Sequence, residues 1–471
     1  MTGIFSRLGR FLREAKNTLT GRRLNEVRAH FDAELQRRLG QPTFAVQDSA
    51  SRIISATPER HAPLAVVSCM PPAQTGIATA SLFTFREAPY PVDIFASYET
   101  PADYLRAITD PRLYGTQVRV FHIDTLSLAL RTSHYAAQVF VVGNSHHNSS
   151  LLTELNRSRQ FPSLTPTFVH IHDPCVLHVL QLMCSAEGQQ FHAVLERHYG
   201  RGVPNWSDRE ELDWHNIEEL VRAGIYGVRA LLHDLDVAGI FVNSAIAQRI
   251  VAKETPDIRV EMLFHPVFPV DGVAPARPTA GLRIGSFGAP HAIKKTELAT
   301  AAFEIIRMRD HAARLVIAGY HAGPYAAQHL LTAERGYEVY DSVSCGLLNN
   351  LLRTVDVAIQ LRNLNFGENS GIVPRLLSVG TPVIVSKIGA FEEYGDAVHY
   401  LDQDATAHDL AELIMKVARN GTNDVACKAY VARHSPRAFC EDLAKLLDRH
   451  GREPGNRAQA DELAAHRQRR E

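Results

Sequence analysis

What most limits the fold of this chain is an order that recurs along it: a short buried-type run, a glycine-bearing loop, then a helical stretch. Residues 64–68 read as a buried strand, followed by a loop through Pro71, Pro72 and Gly76, a helical segment, and a second strand at 92–95. Further strands are expected at 118–122, 138–142, 167–171 and 239–244, then at 282–288, 314–319, 355–360 and 382–386. Short strands alternating with helices predict parallel sheets covered on both faces, which take ligands at the carboxyl ends of their strands. A chain of 471 residues exceeds one ordinary core, so two such α/β domains are expected. No GxGxxG run follows a strand, which disfavours a nicotinamide or flavin cofactor.

The expected organisation begins with a basic amphipathic helix and linker over residues 1–62. An N-terminal domain follows over 63–264, with a helical insertion near 188–238, and then a hinge over 265–280 containing Pro266, Pro269, Pro275 and Pro278. A second domain spans 281–435, and a helix with a charged tail spans 436–471. In the first segment Ile4, Phe5, Leu8, Phe11, Leu12, Ala15 and Leu19 recur at helical spacing, with Arg7, Arg10, Arg13 and Lys16 mostly opposite. Such a helix either lies on an anionic membrane or packs on protein. Fifty Lys and Arg against 51 Asp and Glu leave no basic field, so nucleic acid is not an expected partner. The six cysteines are scattered without a CxxC pair, and no run approaches the roughly 20 apolar residues that span a bilayer. Arginines stand where a secretory signal would carry an apolar block. The expected location is the cytoplasm, with peripheral contact at the inner face of the plasma membrane through residues 4–19 as the open alternative.

Chemistry concentrates in two places. From Phe366 to Glu393, Glu368 stands beside small residues able to open a helix, Gly380 can close it, and a buried strand leads to Gly389, Glu392 and Glu393. Pro374 is tolerated only in a first turn, which puts the expected helix start near Ser370. The amides of Ser370, Gly371 and Ile372 would then be free to hold an anion. The other place is dense in histidine: His134, His146, His147, His170, His172 and His178. His170 and His172 share a strand face, but one HxH lacking a third and fourth ligand is not enough to expect a metal. His172 at a strand end beside Asp173 better suits hydrogen bonding to a substrate hydroxyl or proton handling.

Several segments together resemble a known family. PPAQTGIA is similar to the PPxxSGIAxYS opening of retaining GT-B glycosyltransferases of glycosyltransferase family 4, and VVGNSHH and VHIHDPCVLH resemble its YQxGNxxxH and HxHD/E blocks. IGSFGAPHAIKKTELATAAF resembles its donor-diphosphate segment. DVAIQLRNLNFGENSGIVPRLLSVGTPVIVSKIGAF is similar to a subgroup pattern with LR…GExSG. The likeness covers about residues 64–100, 138–180, 240–270 and 281–420. It implies two Rossmann-like domains facing across a cleft, the first taking the acceptor and the second a UDP- or GDP-sugar, with no further cofactor or metal. It further implies His172 near the transferred sugar and Glu368 beside donor sugar and phosphates. Lys294, reinforced by Lys295, would hold the diphosphate together with the Ser370–Ile372 amides, and Gly76 would let its loop approach. Asn144 and Asp173 would face the acceptor. Two positions depart from the pattern. Leu376 stands where the family has a second, ribose-holding glutamate, with Arg375 before it. The arginine that precedes the lysine has no counterpart around Ala289. The implied activity is retaining transfer from a nucleotide-sugar to a glycan or glycolipid, in surface polysaccharide biosynthesis. A protein or small-molecule acceptor, or a degenerate domain used for binding and assembly, are the alternatives.

Overall fold

The computed structural model describes residues 63–160, 165–204, 212, 214–268, 270 and 281–451. The amphipathic stretch at 4–19, the linker to 62, most of the proline-rich connection and the charged tail lie outside the described residues.

The N-terminal domain holds seven parallel strands: β1 (Leu64–Val67), β2 (Val92–Ala96), β3 (Val118–His122), β4 (Ala137–Val142), β5 (Thr167–Ile171), β6 (Gly239–Val242) and β7 (Val260–Met262). They lie in the order β3-β2-β1-β4-β5-β6-β7. β1, β2, β4, β5 and β6 are buried along their whole length, as a sheet covered on both faces requires. Alternate residues feed separate cores: Val67, Phe140 and Val169 on one side, Val66, Val139 and Phe168 on the other. The second core is closed by the helix Gly76–Phe85 and by the last helix, Pro436–Gly451, whose Phe439, Cys440, Leu443 and Leu446 pack with Leu82 and Phe85. This helix therefore crosses back onto the first domain, pinned by the Tyr90 hydroxyl on the Cys440 carbonyl at 2.8 Å. Each large apolar side chain buried there contributes roughly 1.5–3 kcal/mol.

Between β5 and β6 the helices Leu177–Ala186, Phe191–Tyr199, Trp214–Arg222 and Val228–Leu232 enclose a satellite core of Leu180, Leu195, Ile217 and Leu220. Buried Glu254 holds this insertion to the end of the helix Ala245–Glu254, accepting from the Tyr226 amide at 2.9 Å, the Val228 amide at 2.7 Å and the Tyr199 hydroxyl at 3.0 Å.

The second domain has six parallel strands: β8 (Arg283–Phe287), β9 (Arg314–Gly319), β10 (Tyr337–Asp341), β11 (Val357–Gln360), β12 (Val383–Ser386) and β13 (His399–Leu401), ordered β10-β9-β8-β11-β12-β13. In both sheets strand order reverses beside the first strand, at β1/β4 and at β8/β11. Such switch points open a crevice at the carboxyl ends of the strands. The loops carrying Gly76, Asn144, Lys294 and the 361–372 segment leave from there. Among the described residues no helix is long and apolar enough to cross a membrane.

Candidate functional site

The 361–372 segment leaves the end of β11 in a fixed shape. The Arg362 amide donates to Ser386 Oγ at the end of β12 (2.9 Å). Asn365 braces the turn: its Oδ1 accepts from the Gly367 amide (3.0 Å) and the Ala390 amide (2.9 Å), and its Nδ2 donates to the Glu368 carbonyl (3.0 Å). Glu368 Oε2 accepts from the Phe366 amide at 2.7 Å, so the carboxylate is oriented by its own loop. The loop also docks on the first domain. Ser244 Oγ donates to the Gly367 carbonyl (2.7 Å) and Asn369 Nδ2 to the Asn243 carbonyl (2.8 Å). Glu393 accepts from the Ala245 amide (2.9 Å), capping the helix Ala245–Glu254 from across the cleft.

Gly367 sits at φ +103°, and a Cβ there would stand 2.6 Å from the Ala247 backbone nitrogen. Both the left-handed backbone and the close approach require glycine. Gly367→Ala is expected to cost about 1–3 kcal/mol in strain and lost docking, read as a lower denaturation midpoint. An unchanged midpoint would show that the two domains do not seat here.

Two cations converge on the crevice. Lys294 follows β8, and its Nζ lies 2.7 Å from where a Cβ on Gly288 would be, Gly288 having φ +102°. Burial and then the neighbouring Arg362 guanidinium push Lys294 down to about 7. Arg362 is itself lowered by burial, with Glu368 and Tyr394 acting the other way. Its guanidinium lies 5.6 Å from the Phe391 ring and donates to its own Leu361 carbonyl (2.8 Å). Neither cation forms an ion pair with a carboxylate among the described residues. Two recessed like charges are costly, the Glu368 carboxylate acts on Arg362 alone, and an arriving anion relieves both.

Two carboxylates, one from each domain, join the same group. Burial, and then the Glu368 carboxylate beside it, push Asp173 well above the usual carboxylate range, although its Oδ1 accepts from the Cys175 amide at 3.1 Å. Burial also raises Glu368, opposed by the amides of its own loop and by Arg362. Like charges in one recess disfavour double ionisation, so this pair takes up a proton more readily than two isolated carboxylates.

The fold thus brings Lys294, Glu368 and Asp173 into one electrostatic group and adds Arg362, which the motif reading passed over although it is the R of the LR pair. The other expected residues have these surroundings. Lys295, at φ +48°, sends Nζ to the Gln403 carbonyl at 2.6 Å. Asn144 Oδ1 caps the helix Leu177–Ala186 through the Val179 amide (3.1 Å), and its Nδ2 meets His178 (3.2 Å). The His172 ring lies 4.4 Å from His170 and 5.9 Å from His265, centroid to centroid, and burial holds it well below its ordinary value, hence neutral. Gly76 is exposed, with no atom within 4 Å of an added Cβ.

The helix expected from Ser370 begins at Val373 instead, running Val373–Ser378 with Pro374 in its first turn. Ser370 Oγ accepts from the Ile372 amide (3.2 Å), so the expected row of free amides is reduced, while Gly371 stays exposed. Leu376, eight positions after Glu368, is fully buried among Phe287, Val316 and Val383 and cannot face a ligand. The polar residue of that turn is Arg375, which donates to Asn349 Oδ1.

No family model and no curated protein sequence matches the chain. Solved structures do. HepE of Anabaena in complex with UDP and glucose is similar at 13% identity over 82% of this chain and 100% of that one, TM-score 0.52. Sucrose-phosphate synthase of Thermosynechococcus elongatus is similar at 12% identity over 83% and 99%, TM-score 0.56. A UDP-forming α,α-trehalose-phosphate synthase of Burkholderia xenovorans in complex with glucose-6-phosphate follows at 11% identity over 82% and 100%, TM-score 0.50. At these identities the likeness speaks to architecture: two Rossmann-like domains facing across a cleft, the GT-B fold.

Proposed function

We propose that this chain is a glycosyltransferase that moves a sugar, with retention, from a nucleoside diphosphate donor to a glycan or glycolipid in surface polysaccharide biosynthesis. The observation that carries the reading is the pair of recessed cations, Lys294 and Arg362, at the switch point of the second sheet, neither in an ion pair with a carboxylate among the described residues. A diphosphate supplies the charge they lack, and Arg362 stands in for the arginine absent before Lys294. The Anabaena neighbour of the same fold holds UDP and glucose, which supports a UDP-sugar as the first donor to try.

In this reading the bond from the anomeric carbon to the diphosphate oxygen breaks, and Lys294 and Arg362 stabilise the charge that gathers on the leaving group. They supply the positive charge that a divalent cation otherwise brings. Glu368, fixed by the Phe366 amide, accepts from a sugar hydroxyl, and neutral His172 contacts the transferred sugar from the strand end. Asp173 faces the acceptor. The acceptor oxygen bonds to the anomeric carbon on the face the diphosphate leaves, and its proton passes to the departing phosphate oxygen. The anomeric configuration of the product, read by NMR, tests this: it is expected to match the donor, and inversion would contradict it.

A further inference from the structure

Three histidines meet at the carboxyl end of β5. The rings of His170 and His172 have centroids 4.4 Å apart, and His265 meets His172 edge-on at 5.9 Å. His170 and His265 are buried, and His172 alone is partly open. Burial holds His170 down to about 3 and His265 to about 4, so each of these rings is neutral and carries one proton. Which nitrogen carries it is set by the bond that the other makes.

The neighbours decide this for both rings. His265 Nδ1 lies 3.0 Å from the Pro266 carbonyl, which can only accept, so the proton is on Nδ1. Asn243, 3% exposed, sends Nδ2 to the Leu263 carbonyl at 2.8 Å and to His170 Nε2 at 3.0 Å, one hydrogen for each. Turning the amide round would set its oxygen against the Leu263 oxygen, so Nδ2 is the atom in place. It donates, His170 Nε2 accepts, and the His170 proton is therefore on Nδ1. Asn243 Oδ1 is left buried without a partner. An orphaned acceptor is a cost that an apolar residue would not carry, and the two donated bonds are what the asparagine provides against it. The main chain of the same residue docks the Glu368 loop, its carbonyl accepting from Asn369 Nδ2 at 2.8 Å.

We propose that Asn243 is a positioning residue for His172: it fixes the proton of His170 on Nδ1, and the His170 ring so oriented holds His172 ready for a sugar hydroxyl. The inference rests on the transferase reading, in which His172 touches the transferred sugar. A neutral imidazole has a dipole whose direction changes with its tautomer, and in a recess of low dielectric His172 feels it at 4.4 Å. Asn243 acts through His170 and not on the substrate. Because its carbonyl also carries the loop that presents Glu368, it ties the histidine side of the cleft to the carboxylate side.

The test feeds the full chain histidine carrying the NMR-active nitrogen isotope and reads the tautomers from long-range proton–nitrogen spectra, with His170→Phe assigning the signal. In the unaltered chain His170 is expected as the Nδ1–H form near pH 7, and the Nε2–H form would overturn the proposal. Asn243→Asp presents acceptors alone, so His170 is expected to bring a proton to Nε2, and Asn243→Leu is expected to leave a mixture of tautomers. Both variants are expected to lower kcat by about ten-fold, with KM for the nucleotide-sugar unchanged. An altered tautomer with kcat intact overturns the proposal. So does a loss of kcat with the tautomer unchanged, which would mark Asn243 as structural. If the unaltered chain turns over no nucleotide-sugar, the transferase reading falls and takes the role in transfer with it, whereas turnover with the wrong tautomer overturns this proposal alone.

Discussion

Lys294→Met is expected to lower kcat/KM for the nucleotide-sugar by about 10²–10³-fold, the cost of removing one preorganised donor to a developing anion. Methionine keeps the length and packs in the same recess without charge. The variant also carries a second, opposite signature. Lys294 titrates at about 7 in the folded chain against 10.5 for an ordinary lysine, because of burial and Arg362. Between those values the unfolded chain binds more protons, so this group makes stability rise with pH from about 7 toward 10.5. Its destabilising effect is complete below about 7 and gone above 10.5. Lys294→Met removes that slope. The unliganded variant should therefore gain over the unaltered chain most below pH 7 and match it near pH 10.5, as chemical denaturation across this range would show. A stabilised, inactive protein marks an anion site. A destabilised one would mark Lys294 as structural.

Glu368→Gln is expected to reduce kcat by about 10²-fold or more, with little change in folding, because the amide oxygen can still accept from the Phe366 amide. The substitution also removes the charge beside Asp173, which should then titrate closer to an ordinary carboxylate, its upward shift having depended on burial and next on Glu368. Steady-state rates with circular dichroism decide the matter. Full activity in a folded variant would remove Glu368 from the chemistry.

Much of the fold was readable because its central strands are unbroken apolar runs, such as Leu64–Val67 and the Val383 to Val385 stretch, which a two-sided parallel sheet buries. The segments that escaped, Val260–Met262, Tyr337–Asp341 and His399–Leu401, sit at or beside the sheet edges, where polar residues interrupt the run. Within the site, Glu368 and Lys294 were legible from local pattern. Arg362 was not weighed because it reaches Lys294 from a different loop, and only the β8/β11 pairing brings those loops together. A count of eight from Glu368 reached Leu376 because spacing counts residues and not faces, and on that short helix the face belongs to the core. The surroundings of His172 were equally hidden: His265, which flanks it, comes from the chain after β7.

The most direct measurement is calorimetric titration of the full chain with UDP, GDP, ADP and dTDP, repeated at pH 6.5, 7.5 and 8.5 in buffers of different ionisation enthalpy. One nucleotide is expected to bind, with proton uptake growing as pH rises past about 7, since the diphosphate recharges Lys294. At about 100 times its dissociation constant it should add about 2.7 kcal/mol of stability. No binding by any of the four, or binding without proton uptake and unaffected by Lys294→Met, would contradict the assignment of Lys294 and Arg362 as a diphosphate site.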